Sequence, residues 1–359
     1  MLLVVNAGSS SIKLALFDVD LGQVLAGSVA EIGGQARVKI GDVDQTVRIA
    51  DHAGALQIAL IVIAAAGHPI PTFTAAAHRV VHGGADLQAT CKLTPAVIAQ
   101  IAACVPLAPL HNPANLLAIH ALRQLAPSLP QYASFDTAFH ATNPAVATTY
   151  ALPADIRVQG ICRYGFHGIS YAGLVKTLRD QLDGHLPHRL LALHLGNGAS
   201  LCAILNGQSV ATTMGYSPLD GLTMGTRAGG IDGNAVLRLA QLHGVAATGD
   251  ILNRQSGLLA LGGSNDMRDL HAANTDGARF AIDHFCYWAA RHAGSMIAAM
   301  EGLDAIAFTG GIGENDAAVR DDILARLHWA GAHVPAYVIA AAEERTIAAD
   351  AARLHLARP

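Results

Sequence analysis

Two segments far apart in the chain share one arrangement: an apolar strand, a small polar turn containing glycine, then a second strand. The first runs from Leu2 to Val5 through Asn6-Ala7-Gly8-Ser9-Ser10-Ser11 into the alternating stretch Ile12 to Phe17. The second runs from Leu190 to Leu195 through Gly196-Asn197-Gly198-Ala199-Ser200 into Leu201 to Leu205, and Asn206-Gly207 then reads as a hairpin turn. One such unit in each half predicts two related domains facing one another, with a soft boundary near residues 137–155. A length of 359 residues suits that division. Strands are also expected at Gln23 to Ala30, around Val38 and Val47, at Ala75 to Val81 and at Tyr132 to Phe135. Between them, Asp51 can cap a helix running to about Ala66, while Thr94-Pro95 and Asn112-Pro113 each place a capping side chain before a proline at the first helical position. Strands alternating with helices make this an α/β chain.

A third glycine-rich segment, Phe308 to Asn315, follows an apolar strand from Ala305 and precedes a helix carrying Val319, Ile323 and Leu327. Strand, glycine turn and helix start is a geometry in which backbone N–H groups and the helix dipole hold an anion. The first turn, Gly8 with three serines and Lys13 beyond, offers backbone donors, hydroxyls and one cation, a set suited to a polyphosphate. It is not the phosphate loop of the G-x-x-x-x-G-K-[ST] type, because a strand and not a helix follows. Gly311-Ile312-Gly313 likewise departs from the dinucleotide fingerprint. Each turn alone is also compatible with an ordinary hairpin, but three in one chain point to nucleotide binding.

Composition removes other classes. The chain is 52% hydrophobic and only 14% charged, so it is rich in core. Its net charge of −4, without a dense basic patch, predicts neither nucleic acid nor an anionic membrane as partner. The longest apolar run, Ile58 to Ala66, falls far short of the ~20 residues that span a bilayer. Met1 to Val5 reads as a strand and not as a secretory signal, which predicts a cytoplasmic protein. Five widely spaced cysteines without a C-x-x-C pair are expected to be reduced and mostly buried. Small-molecule chemistry is the remaining class.

His78-Arg79-Val80-Val81-His82-Gly83-Gly84 places an arginine inside an apolar run, where it must meet an anion or a carboxylate; a structural salt bridge would satisfy it as well as a substrate. Phe135-Asp136-Thr137-Ala138-Phe139-His140 puts a carboxylate at a strand end. Arg163 to Gly168, Gly225 to Gly230 and Ser264 to Asp269 add a histidine and further arginines among glycines and turn residues. Isolated arginines, a histidine and an aspartate beside phosphate-type turns are the parts of a phosphoryl-transfer site, where the protein positions reactants and neutralises charge. The zinc motif H-E-x-x-H and the nucleophile elbow G-x-S-x-G are absent.

With Leu107 to Pro113 and His194 to Gly198, these segments stand in the order found in the acetate kinase family, which the chain resembles over nearly its whole length. That resemblance implies two similar domains of the actin-like ATPase (ribonuclease H-like) type, residues 1–140 plus 344–359 and residues 141–343, with the active site in the cleft between them. It implies Mg²⁺-dependent, reversible transfer of the γ-phosphoryl group of ATP to acetate or propionate, with Mn²⁺ as an alternative metal, in a homodimer. By the same resemblance Asn6 and Glu343 hold the metal. Ser9, Ser11, Lys13, His194, Gly196, Asn197, Gly198, Asp266, Met267, Arg268, Gly311, Ile312, Gly313 and Asn315 contact the nucleotide. Arg79, Asp136, His167 and Arg227 are the implied catalytic residues, and Arg79, Val81, Leu110, His111 and Pro218 the implied acid-binding set.

The chain departs from the family pattern at Ala211-Thr212-Thr213-Met214-Gly215, at Gly230, and at Ala341-Ala342-Glu343-Glu344, where either glutamate could face the metal. Two other readings remain: a kinase preferring butyrate or propionate, and a non-catalytic nucleotide switch on the same fold.

Overall fold

In a computed structural model, which describes residues 1–330 and 334–357, the chain divides into two compact units, Met1–Ala138 with Ala342 onward, and Phe139–Ala341. Gly331, Ala332 and His333 lie outside the described residues, as do Arg358 and Pro359, the last two residues expected in the first domain.

The first unit is built on eight strands, β1 (Leu2–Ala7), β2 (Ser11–Phe17), β3 (Gln23–Ala30), β4 (Gly34–Ile40), β5 (Val43–Ile49), β6 (Ala75–Val80), β7 (Cys91–Lys92) and β8 (Gln131–Phe135), in the order β5-β4-β3-β2-β1-β6-β8-β7. β1, β6 and β8 are parallel, and β1 to β5 form an antiparallel meander. Helices α1 (His52–Ala65), α2 (Pro95–Ala103) and α3 (Asn112–Leu125) cover the sheet. Asp51 caps α1 by accepting from Gly54 N at 2.9 Å, and Thr94 caps α2 through Val97 N. Leu56, Leu60 and Ile63 of α1 close over Leu3, Val5, Leu14 and Val38, while Ile98, Ile101 and Ile119 meet Val80 and Phe135 in a separate core.

The second unit contains β9 (Arg189–Leu195), β10 (Ala199–Leu205), β11 (Gln208–Thr212), β12 (Ala305–Thr309) and β13 (Ala336–Val338), in the order β11-β10-β9-β12-β13. β9, β12 and β13 are parallel, and β10 is antiparallel to both neighbours. This repeats β3-β2-β1-β6-β8 strand for strand. The tips also correspond: Gly8 N donates to Ser11 O at 2.7 Å across the first, and Gly196 N to Gly198 O at 3.0 Å across the second. Asn206 and Gly207 both take positive φ, as a two-residue hairpin turn demands.

Two local expectations are corrected. Asn112 does not cap α3. The capping position belongs to His111, which makes no side-chain cap bond, and the Asn112 side chain is spent on the buried backbone of His82, accepting from its N at 3.1 Å and donating to its O at 3.0 Å. The glycine segment after β12 is not a turn ahead of a helix; Gly310–Asn315 is itself helical, and a second helix, Ala317–Arg326, starts at the Asp316 cap. Gly310 makes this abrupt change alone: its φ is +80°, and a Cβ there would fall 2.7 Å from Leu195 O.

Asn115, 2% exposed, ties the first unit's site strands together. Its Nδ2 donates to Ala7 O at 2.7 Å, and its Oδ1 accepts from Val81 N at 3.1 Å, joining the ends of β1 and β6. Asn115→Ala is expected to cost on the order of 3 kcal/mol, because two buried backbone groups lose their side-chain partner. Chemical denaturation checks this, and an unchanged midpoint would refute it.

Candidate active site

The register of the first sheet gathers polar residues from separate motifs on one face. Asn6 on β1 pairs with Lys13 on β2, and the parallel alignment of Val5 with His78 turns Arg79 to the side of Asn6. His78, facing the other way, is buried and kept neutral: burial pushes its pKa down to about 4, against a hydrogen bond with Gln131. Asp136 follows the end of β8, which lies beside β6.

Arg79 is at the centre of this group. Its Nε donates to Asp136 Oδ1 at 2.9 Å and its Nη2 to Asp136 Oδ2 at 2.6 Å, a two-point grip on a carboxylate 3% exposed. Its Nη1 donates to Asn6 Oδ1 at 3.3 Å, and Glu343 Oε2 lies 4.0 Å from Nε. Of the five guanidinium N–H groups, three are thus engaged and two are left for an anion. Burial works against the charge of Arg79, but Asp136, Glu343 and Glu344 outweigh it and hold its pKa above the ordinary value. Glu343 opens the C-terminal helix Glu343–Leu356, which packs on β1 and β6.

Elsewhere in the first unit, Ser9 is exposed at the first tip, and Ser11 and Lys13 lie on β2. Val81 is buried, Leu110 is 42% exposed, and His111 is half-buried at the start of α3. The His52 ring nitrogen, 2.7 Å from Gly8 O, supports the first tip from below. Neither His52 nor Asn115 carried a sequence signal beyond its residue type, since each acts through a backbone atom distant in the chain.

In the second unit, His167 occupies the capping position of helix Gly168–Gln181 with φ +60° and ψ 17°, a left-handed conformation rare for a non-glycine residue. Its ring stacks on His194 of β9 with centroids 4.1 Å apart and planes at 23°. His167 Nδ1 lies 2.9 Å from Ser200 Oγ, and His194 Nδ1 lies 2.8 Å from Ser170 Oγ. A Cβ on Gly198 would stand 3.2 Å from His167 Nε2 and 3.7 Å from Arg227 Nη1, so both groups converge on that glycine. Arg227 Nη1 also donates to Pro218 O at 3.1 Å.

Gly196 lies beside Gly311: a Cβ on it would be 3.7 Å from Gly311 N. Asn197 O accepts from Gly225 N at 3.0 Å, fixing the second tip to the loop that carries Arg227. Ile312 and Gly313 continue the short helix, whose end Arg320 Nη1 closes by donating to Gly313 O and Glu314 O, each at 2.9 Å, while Asn315 Nδ2 donates to Gly311 O. Asp266 caps helix Met267–Ala273 through Arg268 N and grips the exposed Arg268 guanidinium. That hydrogen bonding holds its pKa down to about 2. Met267 is buried.

All five cysteines are free, with Cys104, Cys202 and Cys286 buried. Among the described residues no helix is long and apolar enough to cross a membrane, and no group of three or more His, Cys, Asp or Glu forms a metal cage.

The model of the acetokinase family matches residues 1–357. An acetate kinase of Rhodopseudomonas palustris is 43% identical over 347 residues, covering 92% of this chain and 87% of that protein. Among solved structures, a propionate kinase from Francisella tularensis subsp. tularensis SCHU S4 superposes with a TM-score of 0.93 at 33% identity, covering 97% of this chain and 98% of the other. The Porphyromonas gingivalis acetate kinase gives 0.91 at 32% identity, with 99% of each chain covered.

Proposed function

The chain belongs to the acetokinase family, and from that premise we propose that it is an acetate kinase, transferring the γ-phosphoryl group of ATP reversibly to acetate and giving acetyl phosphate and ADP. The observation that carries this reading is the Arg79–Asp136 pair beside Asn6 and Glu343: an arginine held from one side by a carboxylate and still offering two N–H groups. Those donors suit the acetate carboxylate or an oxygen of the group being transferred. Asp136 fixes the guanidinium plane, and Arg227 and His167, converging at Gly198, add positive charge and a donor for the phosphoryl oxygens.

Val81, Leu110 and Pro218 would enclose the acyl methyl, with His111 in support. Ser9, Ser11 and Lys13 serve the phosphates from the first unit. In the second, His194, Gly196, Asn197, Gly198, the segment Asp266 to Arg268, and Gly311, Ile312, Gly313 and Asn315 serve the nucleotide. The amide oxygen of Asn6 and the carboxylate of Glu343 are hard oxygen donors, a set that fits Mg²⁺, which is commonly held by one or two carboxylates together with substrate phosphates. When bound, the metal supplies charge neutralisation to phosphate oxygens. Glu343 is preferred over Glu344 because its carboxylate is the one paired with Arg79.

The purified protein with ATP, Mg²⁺ and acids of two to four carbons, its product trapped with hydroxylamine, tests this. Acetate and propionate are expected to give acyl phosphate, and ATP is expected to persist without acid. Discrimination between neighbouring acids should be modest, since one methylene in an apolar pocket is worth ~1–3 kcal/mol. Full-rate ATP hydrolysis without acid would sink the kinase reading, and a highest kcat/KM with butyrate would sink the pocket. Preference for propionate is the second reading, favoured by the likeness to a propionate kinase, and the same series decides it.

A homodimer in the cytoplasm completes the proposal. Exposed Ile231, Leu237, Leu242 and Val245 of the second unit would be covered by a second copy, and sedimentation at the mass of one chain would contradict that. ATP as phosphoryl donor supports the cytoplasmic placement.

A further inference from the structure

We infer that His140 is a positioning residue for His167: it donates its Nε2–H to the Phe166 carbonyl and so holds the left-handed turn from which the His167 ring is presented. The inference deepens the kinase reading, on which the role of His167 rests.

His140 lies at the start of the second unit and is 2% exposed. Its Nε2 is 2.9 Å from Phe166 O, and its Nδ1 is 2.9 Å from Ser209 Oγ and 4.0 Å from Cys202 Sγ. A carbonyl oxygen only accepts, so the proton sits on Nε2. Burial pushes the His140 pKa down to about 4, against the bond to Phe166, and the ring is neutral. With one proton to place, Nδ1 is the acceptor edge. This assignment rests on the carbonyl alone and holds whichever way the Ser209 hydroxyl turns.

The ring is boxed in as well as bonded. Phe139 and Tyr171 meet it edge to face, with centroids 5.9 and 5.8 Å away. The loop leading to His167 passes directly over it: a Cβ on Gly165, whose φ is +78°, would fall 2.7 Å from His140 Cδ2 and 2.8 Å from Cγ. Only glycine fits there, and the imidazole cannot move aside.

Phe166 C=O and His167 N–H belong to one rigid peptide plane, so turning that oxygen also turns φ of His167. His167 has φ +60° and ψ 17°, a conformation that a non-glycine residue keeps only where its surroundings over-determine it. Relaxation to the right-handed region would swing Phe166 O off His140 Nε2 and carry the His167 ring away from Gly198. The His140 donor opposes that motion from inside the core. His140 touches no reacting group itself; it acts through the backbone of its neighbour.

Two amide variants of the full-length protein test this. In His140→Gln the side-chain NH₂ stands near the place of Nε2 and still reaches Phe166 O, whereas in His140→Asn it stands near the place of Nδ1 and falls short. Labelling histidine with ¹³C and ¹⁵N, without substrates, gives each ring tautomer through two-bond ¹H–¹⁵N correlations. Samples of His140→Gln and His167→Gln assign the two residues by the signals they lack. The native His140 ring is expected as Nε2–H. The His167 Cα and ring signals are expected to move in His140→Asn and to keep their places in His140→Gln. In turnover, His140→Asn should lose roughly 10- to 10²-fold in kcat with KM for ATP and acetate kept, and His140→Gln should keep most of kcat. An Nδ1–H ring at native His140 overturns the inference. So does a folded His140→Asn with native His167 signals, or an equal loss of kcat in both variants, which would make His140 a packing residue only. Should both variants fail to fold, the native tautomer decides alone. If the native protein forms no acyl phosphate, the kinase reading falls, while the signals, taken without substrate, still decide whether His140 holds His167.

Discussion

Arg79→Ala is expected to lose on the order of 10²–10³ in kcat and, unlike most active-site truncations, to lose stability as well. The catalytic part follows from removing a preorganised cation from a site where charge develops, a loss worth about 3–4 kcal/mol of transition-state stabilisation. The stability part follows from its partner. Asp136, 3% exposed, would be left as a buried carboxylate without its two-point counterion, and breaking such a pair costs about 3–5 kcal/mol. Asp136→Asn is no neutral control: a side-chain amide places its own NH₂ against one of the guanidinium donors. The double variant Arg79→Ala/Asp136→Ala separates the two effects. It should recover part of the lost denaturation midpoint, since no charge is stranded, while kcat stays at the level of Arg79→Ala. Recovery of activity in the double variant would show that Arg79 serves only to neutralise Asp136. Arg79→Lys is expected to rescue little, because an ammonium cannot hold Asp136 at two points and present further donors together.

The duplicated architecture was legible because it is written in local patterns. Alternation marks β2, the uninterrupted apolar runs mark β1 and β9, and small residues mark the two tips; strand pairing then repeats because the same pattern occurs in each half. Residues that make chemistry through strand position were legible as types: an arginine inside an apolar strand had to find an anion. Its partner was not legible, because Asp136 lies 57 positions away and meets Arg79 only through the register of β6 with β8. Asn112 shows the opposite failure. Asn before proline is a good local capping signal, yet the buried backbone of His82 offers that side chain two hydrogen bonds, against the single one a cap provides. The helix beginning at Gly310 was hidden for a related reason: glycine lowers helix propensity, and only the approach to Leu195 O explains why one is required there.

Gly198→Ala is expected to abolish most activity while leaving the fold intact. No positive φ constrains the position, and the nearest atoms to an added methyl are His167 Nε2 at 3.2 Å, His167 Cε1 at 3.4 Å and Arg227 Nη1 at 3.7 Å. The methyl would therefore occupy the space onto which the histidine and the arginine converge, or displace them by a few tenths of an ångström. Misplacement on the order of 1 Å at a reacting centre costs roughly 10²-fold, so a shift of a few tenths should lower kcat by up to about that factor and occupation of the space by more. Gly311→Ala is the informative comparison, because no atom lies within 4 Å of its Cβ position and alanine favours the helix that holds it. That variant should be as stable as the native protein or more so, with kcat largely kept. If nucleotide phosphates approach this backbone closely, the new methyl meets them, and KM for ATP should rise several-fold. Steady-state kinetics at varied ATP and acetate, read beside the denaturation midpoint of each variant, separate the cases. A Gly198→Ala enzyme with native kcat would remove His167 and Arg227 from the site of transfer, and a Gly311→Ala enzyme with native KM would remove the short helix from the nucleotide.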